Sequence, residues 1–316
     1  MTKKEQYRQL CQSETGIPLS SRDWWLDAVA GKANWQVAIA EQNNQIIGSL
    51  PYSIKKNGPF RIVQMPRFTP SMGVWLKYPP KQKYHTRLAF EHKICAQLIE
   101  QLPRVNRFHQ RFSPEFSNWL PFFWQDYRQT TRYVYVIPDI SDQDALFKRF
   151  RDNVRWEIRK AQKQQLEVYS ENNVADLFHL IRLTFERQGK KLGYSQKFLE
   201  NLVSASVERN CGKLFFARDV EKQLHFGMFL AWDDNSAYYI IGGSNPAVRN
   251  SGATSLVLWE AIRFASGVTG QFNFTGSMIE PIEKFFRGFG GVQTPYFSIY
   301  KNDKLFAILD ALRKRG

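Results

Sequence analysis

Lys213-Leu-Phe-Phe-Ala-Arg218, Leu224-His-Phe-Gly-Met-Phe-Leu-Ala-Trp232 and Ala237-Tyr-Tyr-Ile-Ile-Gly242 are three short apolar runs, parted by polar turns at Val220–Gln223 and Asp233–Ser236. Aromatic and branched runs at this spacing predict a three-stranded antiparallel meander. Pro246-Ala-Val-Arg249-Asn-Ser251-Gly252-Ala-Thr254 follows, and then a helical period over Thr254–Ser266. A helix that starts here offers unpaired N–H groups and a partial positive charge, which suit phosphate oxygens. Gly252 lets the backbone come close, and Arg249 adds a fork of donors. Arg249, Asn250, Ser251, Gly252, Ala253 and Thr254 are therefore candidate anion-binding residues.

Downstream, Gln271–Phe274 reads as a strand, and Phe272-Asn-Phe-Thr-Gly276-Ser277 runs into a short helix near Pro281. A glycine-rich turn and a last strand, Val292–Tyr300, close the unit. Ligands of open α/β sheets bind at the carboxyl ends of strands. Ser277 is a candidate substrate contact there. Glu280 and Glu283 are candidate proton acceptors, and Arg287 or Lys284 could stabilise an oxyanion or a phosphate. The alternative for the two carboxylates is charge complementarity at a helix N-terminus.

Upstream, one long helix is expected from Asp142 to Gln165, then a strand at Leu166–Ser170 and helices over Val174–Gln188 and Ser195–Arg209. Arg151, Arg155 and Arg159 are four apart and so share one face, opposite an apolar stripe of Val154, Ile158 and Ala161. With Lys160 and Lys163 they make a face suited to a polyphosphate or a nucleic-acid backbone. The alternative is a solvated face paired with Asp152 and Glu157.

The first half repeats the pattern. Trp35–Leu50 and Leu214–Phe229 both read as strand, polar turn and glycine-bearing strand. Each is followed by a glycine-containing loop and an amphipathic helix: Gly73 then Tyr84–Leu102, and Gly252 then Thr254–Ser266. An earlier helix is expected at Ser21–Ala30, capped by Ser20 or Ser21. Duplication of one α/β unit is the simplest account, with units at 1–138 and 139–316, each a mixed, largely antiparallel sheet flanked by helices.

The chain has 316 residues, with 44 Lys and Arg against 29 Asp and Glu, a net charge of +15. Residues 51–111 carry a net +10 and residues 148–163 a net +5, so two segments hold the whole excess. An anionic partner is expected, and Arg67, in the loop Pro66–Gly73, is a candidate contact to it. Cys11, Cys95 and Cys211 lie too far apart for a disulfide framework or a CxxC metal site. The five histidines form no ligand pair, so no metal is expected. The start reads as no signal peptide, and no stretch approaches the ~20 apolar residues of a membrane span. A cytoplasmic location is the expectation, with peripheral membrane contact through the amphipathic tail Leu305–Arg315 as an option.

Arg249-x-x-Gly252-x-Thr254 resembles the Arg/Gln-x-x-Gly-x-Gly/Ala signature with which GNAT acyltransferases hold the pyrophosphate of coenzyme A. Asn153–Val168, Phe185-Glu-Arg-Gln-Gly-Lys190, the meander, Gly242–Trp259 and Phe272–Gly291 follow the order and spacing of the Fem-like branch of that superfamily. The resemblance covers about residues 140–300. It implies two GNAT-type units and transfer of an acyl group, from acyl-CoA or aminoacyl-tRNA, to an amine or hydroxyl. It also implies a cell-envelope or polysaccharide precursor as acceptor: a nucleotide sugar, a lipid-linked sugar or a peptide, all anionic. Many members carry a Lys where this chain has Phe286, and the helical arm that some Fem enzymes use for tRNA is missing. Both departures weigh against tRNA-dependent transfer. The competing reading is a noncatalytic module that binds RNA or an anionic membrane surface. Under the enzyme reading, Arg249–Thr254 hold the donor, Arg155, Arg159, Lys160, Lys163, Ser277 and Arg67 meet the acceptor, and Glu280, Glu283 and Arg287 serve the chemistry.

Overall fold

The structure, a computed structural model, describes residues 1–276 and 278–307. It divides into two units, Met1–Arg132 with the chain from Pro295 onward, and Tyr133–Thr294.

The first repeat runs α1 (Lys3–Ser13), α2 (Asp23–Ala30), β1 (Trp35–Gln42), β2 (Gln45–Asn57), β3 (Phe60–Val63), β4 (Trp75–Leu76), α3 (Tyr84–Glu100), β5 (Arg107–Arg111), α4 (Leu120–Phe123) and β6 (Arg128–Ile137). Helices α5 (Gln143–Arg149) and α6 (Asp152–Lys163) and strand β7 (Glu167–Tyr169) lead into the second. That repeat runs α7 (Val174–Arg187), α8 (Gln196–Val207), β8 (Gly212–Arg218), β9 (Leu224–Trp232), β10 (Ser236–Ser244), α9 (Ala253–Ala265), β11 (Gln271–Asn273), α10 (Glu280–Arg287) and β12 (Val292–Asn302). With the two-residue β4 set aside, both repeats read helix, helix, three strands, helix, strand, helix, strand.

Strand order in the first unit is β1-β2-β3-β5-β12, with β4 on β2; in the second it is β7-β8-β9-β10-β11-β6. Each repeat forms an antiparallel meander, and its third strand runs parallel to the strand after the following helix: β3 with β5, and β10 with β11. The mixed, largely antiparallel sheets flanked by helices are as expected from sequence.

The last strands are exchanged. β6 ends the first repeat but pairs with β11, Phe272 opposite Ile137. β12 ends the second but pairs with β5, from Ser298 opposite Arg111 to Asn302 opposite Arg107. Contacts divide the chain at 132/133 and 294/295. Hydrophobic period reports that a strand exists, and carries no record of which neighbour takes it.

Three further expectations change. The helix over 142–165 is broken. Phe150 is extended and buried between Trp259 and Phe289, and the Arg151 N–H donates to the Gly288 carbonyl at 2.9 Å. Arg151 is thus the N-cap of α6 and not part of its basic face. The N-cap of α2 is Arg22, while Ser20 and Ser21 lie buried in a 3-10 turn. Helix α1, closed by a Thr2–Glu5 capping box, stands where no element was expected. Gly73 lies in a loop, as expected, and a Cβ there would meet the Phe112 ring at 2.5 Å. The tail expected as a helix extends past the described residues.

The core of the second unit forms around α9, nine of whose thirteen residues are buried. It is packed by α6 and by β8 and β9, and a helix covered this far round must be apolar round most of its circumference. Phe274, Phe286 and Phe289 complete this core from the segment around α10. The first unit packs α3 on β1 and β2, with a second cluster of Tyr7, Trp35 and Leu26 under α1. No described helix is long and apolar enough to cross a membrane.

Candidate functional site

Strands β10 and β11 pair only from Ser236–Tyr238 to Gln271–Asn273. β10 continues to Ser244 along β9, with a bulge between Tyr239 and Ile241. A bulge bends its strand and raises the local twist, so the two parallel strands part. Thr275 Oγ1 donates to the Tyr239 carbonyl at 2.9 Å and marks where they separate. Past this point the β11-facing edge of β10 carries no strand pairing among the described residues. The gap opens at the carboxyl ends of both strands, where an α/β sheet takes its ligand.

The chain leaves β10 through a 3-10 turn at Pro246–Val248 and enters α9 at Gly252. Gly252 has φ +79°, and a Cβ there would stand 2.2 Å from the Glu157 carbonyl. Glycine is required on both counts: the handedness of the turn and the close approach of α6. Gly252 has no side chain to cap α9, and Ser251 Oγ accepts from the Ala253 N–H at 3.4 Å, which leaves the amides of Thr254 and Ser255 for water or a ligand.

A cleft of about 460 Å³ lies over this terminus, within the size range of small-molecule sites. Arg249, Asn250 and Gly252 line it from the loop, and Thr254 and Ser255 from α9. Asn153, Val154 and Glu157 contribute from α6, Arg187 from the end of α7, Ser244 from β10 and Phe285 from α10. Two guanidinium groups and one carboxylate, set beside a helix N-terminus, make the cleft electropositive.

The sequence candidates divide sharply. Arg249, Asn250, Gly252 and Thr254 line the cleft, and Ser251 and Ala253 are buried behind it. On α6 the face reversed. Asn153 and Glu157, four apart, look into the cleft, while Arg155 and Arg159 lie about half a turn round the helix and Lys163 about a quarter to a third of a turn. Arg155 pairs with Asp152 and donates to the Lys148 carbonyl at 3.0 Å. Arg159 lies 5.9 Å from the Phe147 ring, and Lys160 is 3.9 Å from Glu157 and over Trp156. Arg67 belongs to the first unit. Ser277 lies outside the described residues.

Glu280, Glu283 and Arg287 all lie on α10, yet none lines the cleft; Phe285 does. Glu283 Oε1 accepts from the Tyr135 hydroxyl at 2.5 Å and from Arg287 Nε at 3.0 Å. Gln293 Nε2 donates to the Tyr135 oxygen at 2.8 Å. Burial, and next the Glu283 carboxylate, push the Tyr135 phenol pKa up, so the hydroxyl keeps its proton and remains the donor. The network ties α10 to β6 and to the start of β12. Phe286 is buried and stacks on Phe274 with centroids 5.0 Å apart, so this position serves the core.

Sequence reasoning missed Glu157, Asn153, Arg187 and Ser244 as cleft residues. The period-four pair Asn153 and Glu157, flanking Val154 and Ile158, was a usable signal. Arg187 sits in a quoted motif, but only the fold brings it to α9.

Residues 148–277 match the family model of an acetyltransferase (GNAT) domain. Over this stretch the chain is similar to a GNAT domain. The parted strands, the N-terminus of α9 and the cleft all lie in the second unit, as that stretch does. No curated protein matches the chain significantly. Among solved structures, FemX superposes with a TM-score of 0.68 at 13% identity, covering 94% of this chain and 96% of that one. L-PGS from Bacillus licheniformis superposes at 0.59 and 10% identity, covering 98% and 96%. The C-terminal domain of a protein from Agrobacterium fabrum, described as a lysylphosphatidylglycerol synthetase, gives 0.58 at 12%, covering 98% and 96%. At these identities the likeness is one of fold, and it extends over both units.

Proposed function

We propose that this protein is an acyltransferase whose donor binds in the cleft at the N-terminus of α9, with acyl-CoA as the preferred donor and an anionic envelope or polysaccharide precursor as acceptor. The observation that carries this reading is the coincidence, in a stretch similar to a GNAT domain, of a helix N-terminus with open amides, Arg249, Arg187 and the parting of β10 from β11. The α9 amides and the two guanidinium groups would hold phosphate oxygens. The unpaired edge of β10 would hold the amide-bearing arm by main-chain hydrogen bonds.

The chemistry is direct. An acceptor amine or hydroxyl attacks the thioester carbonyl, the new C–N or C–O bond forms, the C–S bond breaks, and the thiol leaves with a proton. Glu157, the carboxylate that lines the cleft, stands beside Gly252 at the phosphate end, so the acceptor's proton would pass to a water. Glu283 already accepts two hydrogen bonds, and Glu280 is exposed at the first turn of α10, so neither precedes a water as the base to test. Aminoacyl-tRNA is the alternative donor. The name lysylphosphatidylglycerol synthetase describes addition of an amino acid to an anionic lipid, which supports an anionic acceptor here.

Calorimetric titration with CoA, acetyl-CoA and tRNA tests the reading. Binding of a CoA thioester that weakens at least tenfold in Arg249→Ala supports it. An absence of CoA binding together with tight tRNA binding would replace the donor. Binding of neither would overturn the enzyme reading.

A further inference from the structure

One turn of the first unit carries three large apolar side chains on its outside. In and after α4, Pro121 and Phe122 face inward, and Phe122 is fully buried against Phe112 and Tyr127. Leu120, Phe123 and Trp124 occupy positions i, i+3 and i+4 of the same turn, hence one face, and they are 45%, 56% and 57% exposed. The turn is held firmly. The Phe122 and Phe123 N–H groups donate to the Trp119 carbonyl, Trp124 N–H to that of Leu120, and Tyr127 N–H to that of Phe122. The Trp124 ring stands edge-on to His92 of α3, with centroids 4.9 Å apart. A fixed apolar ridge in water marks an interaction surface.

Cations surround it. Lys301 Nζ donates to the Gln125 carbonyl at 2.7 Å and lies over the Tyr127 ring. Arg128 is exposed at the start of β6, and exposed Lys93 follows His92 on α3. Asp126 is the one carboxylate between residues 116 and 132. Three half-exposed side chains offer at most a few hundred Å², short of the ~800 Å² per partner of a stable protein interface. A lipid surface makes no such demand. A few inserted apolar side chains, with tryptophan at headgroup depth and basic residues against anionic lipid, give peripheral binding.

We infer that Leu120, Phe123 and Trp124 dock this protein on an anionic bilayer surface, with Lys93, Arg128 and Lys301 supplying the charge. The inference is independent of the donor cleft.

Co-sedimentation of the full chain with phosphatidylcholine vesicles, with and without 30 mol% phosphatidylglycerol, tests it. Binding to the anionic vesicles is expected to fall at least tenfold in Phe123→Ser/Trp124→Ser, and to be unchanged in Trp156→Ser, which alters an exposed tryptophan of the second unit. If the double variant unfolds, Leu120→Ser and Lys93→Gln/Lys301→Gln, assayed singly, are each expected to weaken binding at least threefold. No binding by the wild type overturns the inference, as does equal binding by wild type and the ridge variants. A loss that follows Trp156 instead also overturns it, and so does a ridge-dependent dimer in sedimentation velocity without vesicle binding.

Discussion

At the scale of single residues, Gly252 carries two constraints: a positive φ and the Glu157 carbonyl against its α-carbon. Gly252→Ala is expected to cost about 2 kcal/mol or more, read as a lower urea midpoint, and to weaken donor binding by tilting the first turn of α9. The Tyr135–Glu283–Arg287 network makes the opposite kind of claim. Tyr135→Phe removes a buried donor and leaves Glu283 short of one partner, which should cost about 1–2 kcal/mol. Donor affinity should not move, because none of the three lines the cleft. A drop in donor affinity without loss of stability would return α10 to the binding site. Arg249 and Gly252 were legible in the sequence because a short loop between a strand and a helix is a local object. Glu157 and Arg187 were not, since their roles depend on where α6 and α7 pack.

At the scale of elements, α6 shows how one helix serves two purposes. Its Asn153 and Glu157 side faces the cleft, and its Arg155, Arg159 and Lys163 side does not. Arg155→Gln/Arg159→Gln is therefore expected to leave CoA binding within twofold of the wild type by calorimetry. Glu157→Gln removes a negative charge beside the proposed phosphate site and should tighten CoA binding at least twofold by calorimetry.

The pairing of β5 with β12 carries a pH response. His109 on β5 bonds Ser298 of β12 at 2.9 Å and is pushed down to about 4, chiefly by burial and then by Arg107, Arg111 and Arg132. In the unfolded chain a histidine titrates near 6.5. Between about 6.5 and about 4 the unfolded state binds the extra proton, so stability is full above that window and is lost as pH falls through it. Across the whole window the loss should be about 3 kcal/mol. Thermal melts from pH 7.5 to 4.5 should show a steeper fall for the wild type than for His109→Gln.

At the scale of the whole molecule, the exchange of last strands decides what a fragment can do. Residues 1–138 alone lack β12 and leave β5 with an open edge, and unpaired edges aggregate. This fragment is expected to be insoluble or to lack a cooperative melt, whereas the full chain melts cooperatively. A soluble, cooperatively folding 1–138 would show the exchange to be dispensable.

The sequence by itself determined the inventory: the meander, the helix after Gly252, the final strands and the concentration of charge in two segments. Each follows from period, turn chemistry and composition, which act over a few residues. Only the tertiary structure decided that Phe150 breaks the helix to reach the core, that the basic face of α6 turns from the cleft, and that β6 and β12 trade places. These rest on contacts between residues more than a hundred apart, such as Phe150 with Trp259 and Phe272 with Ile137. Burial of apolar surface favours whichever partner completes the core, and no local pattern names that partner.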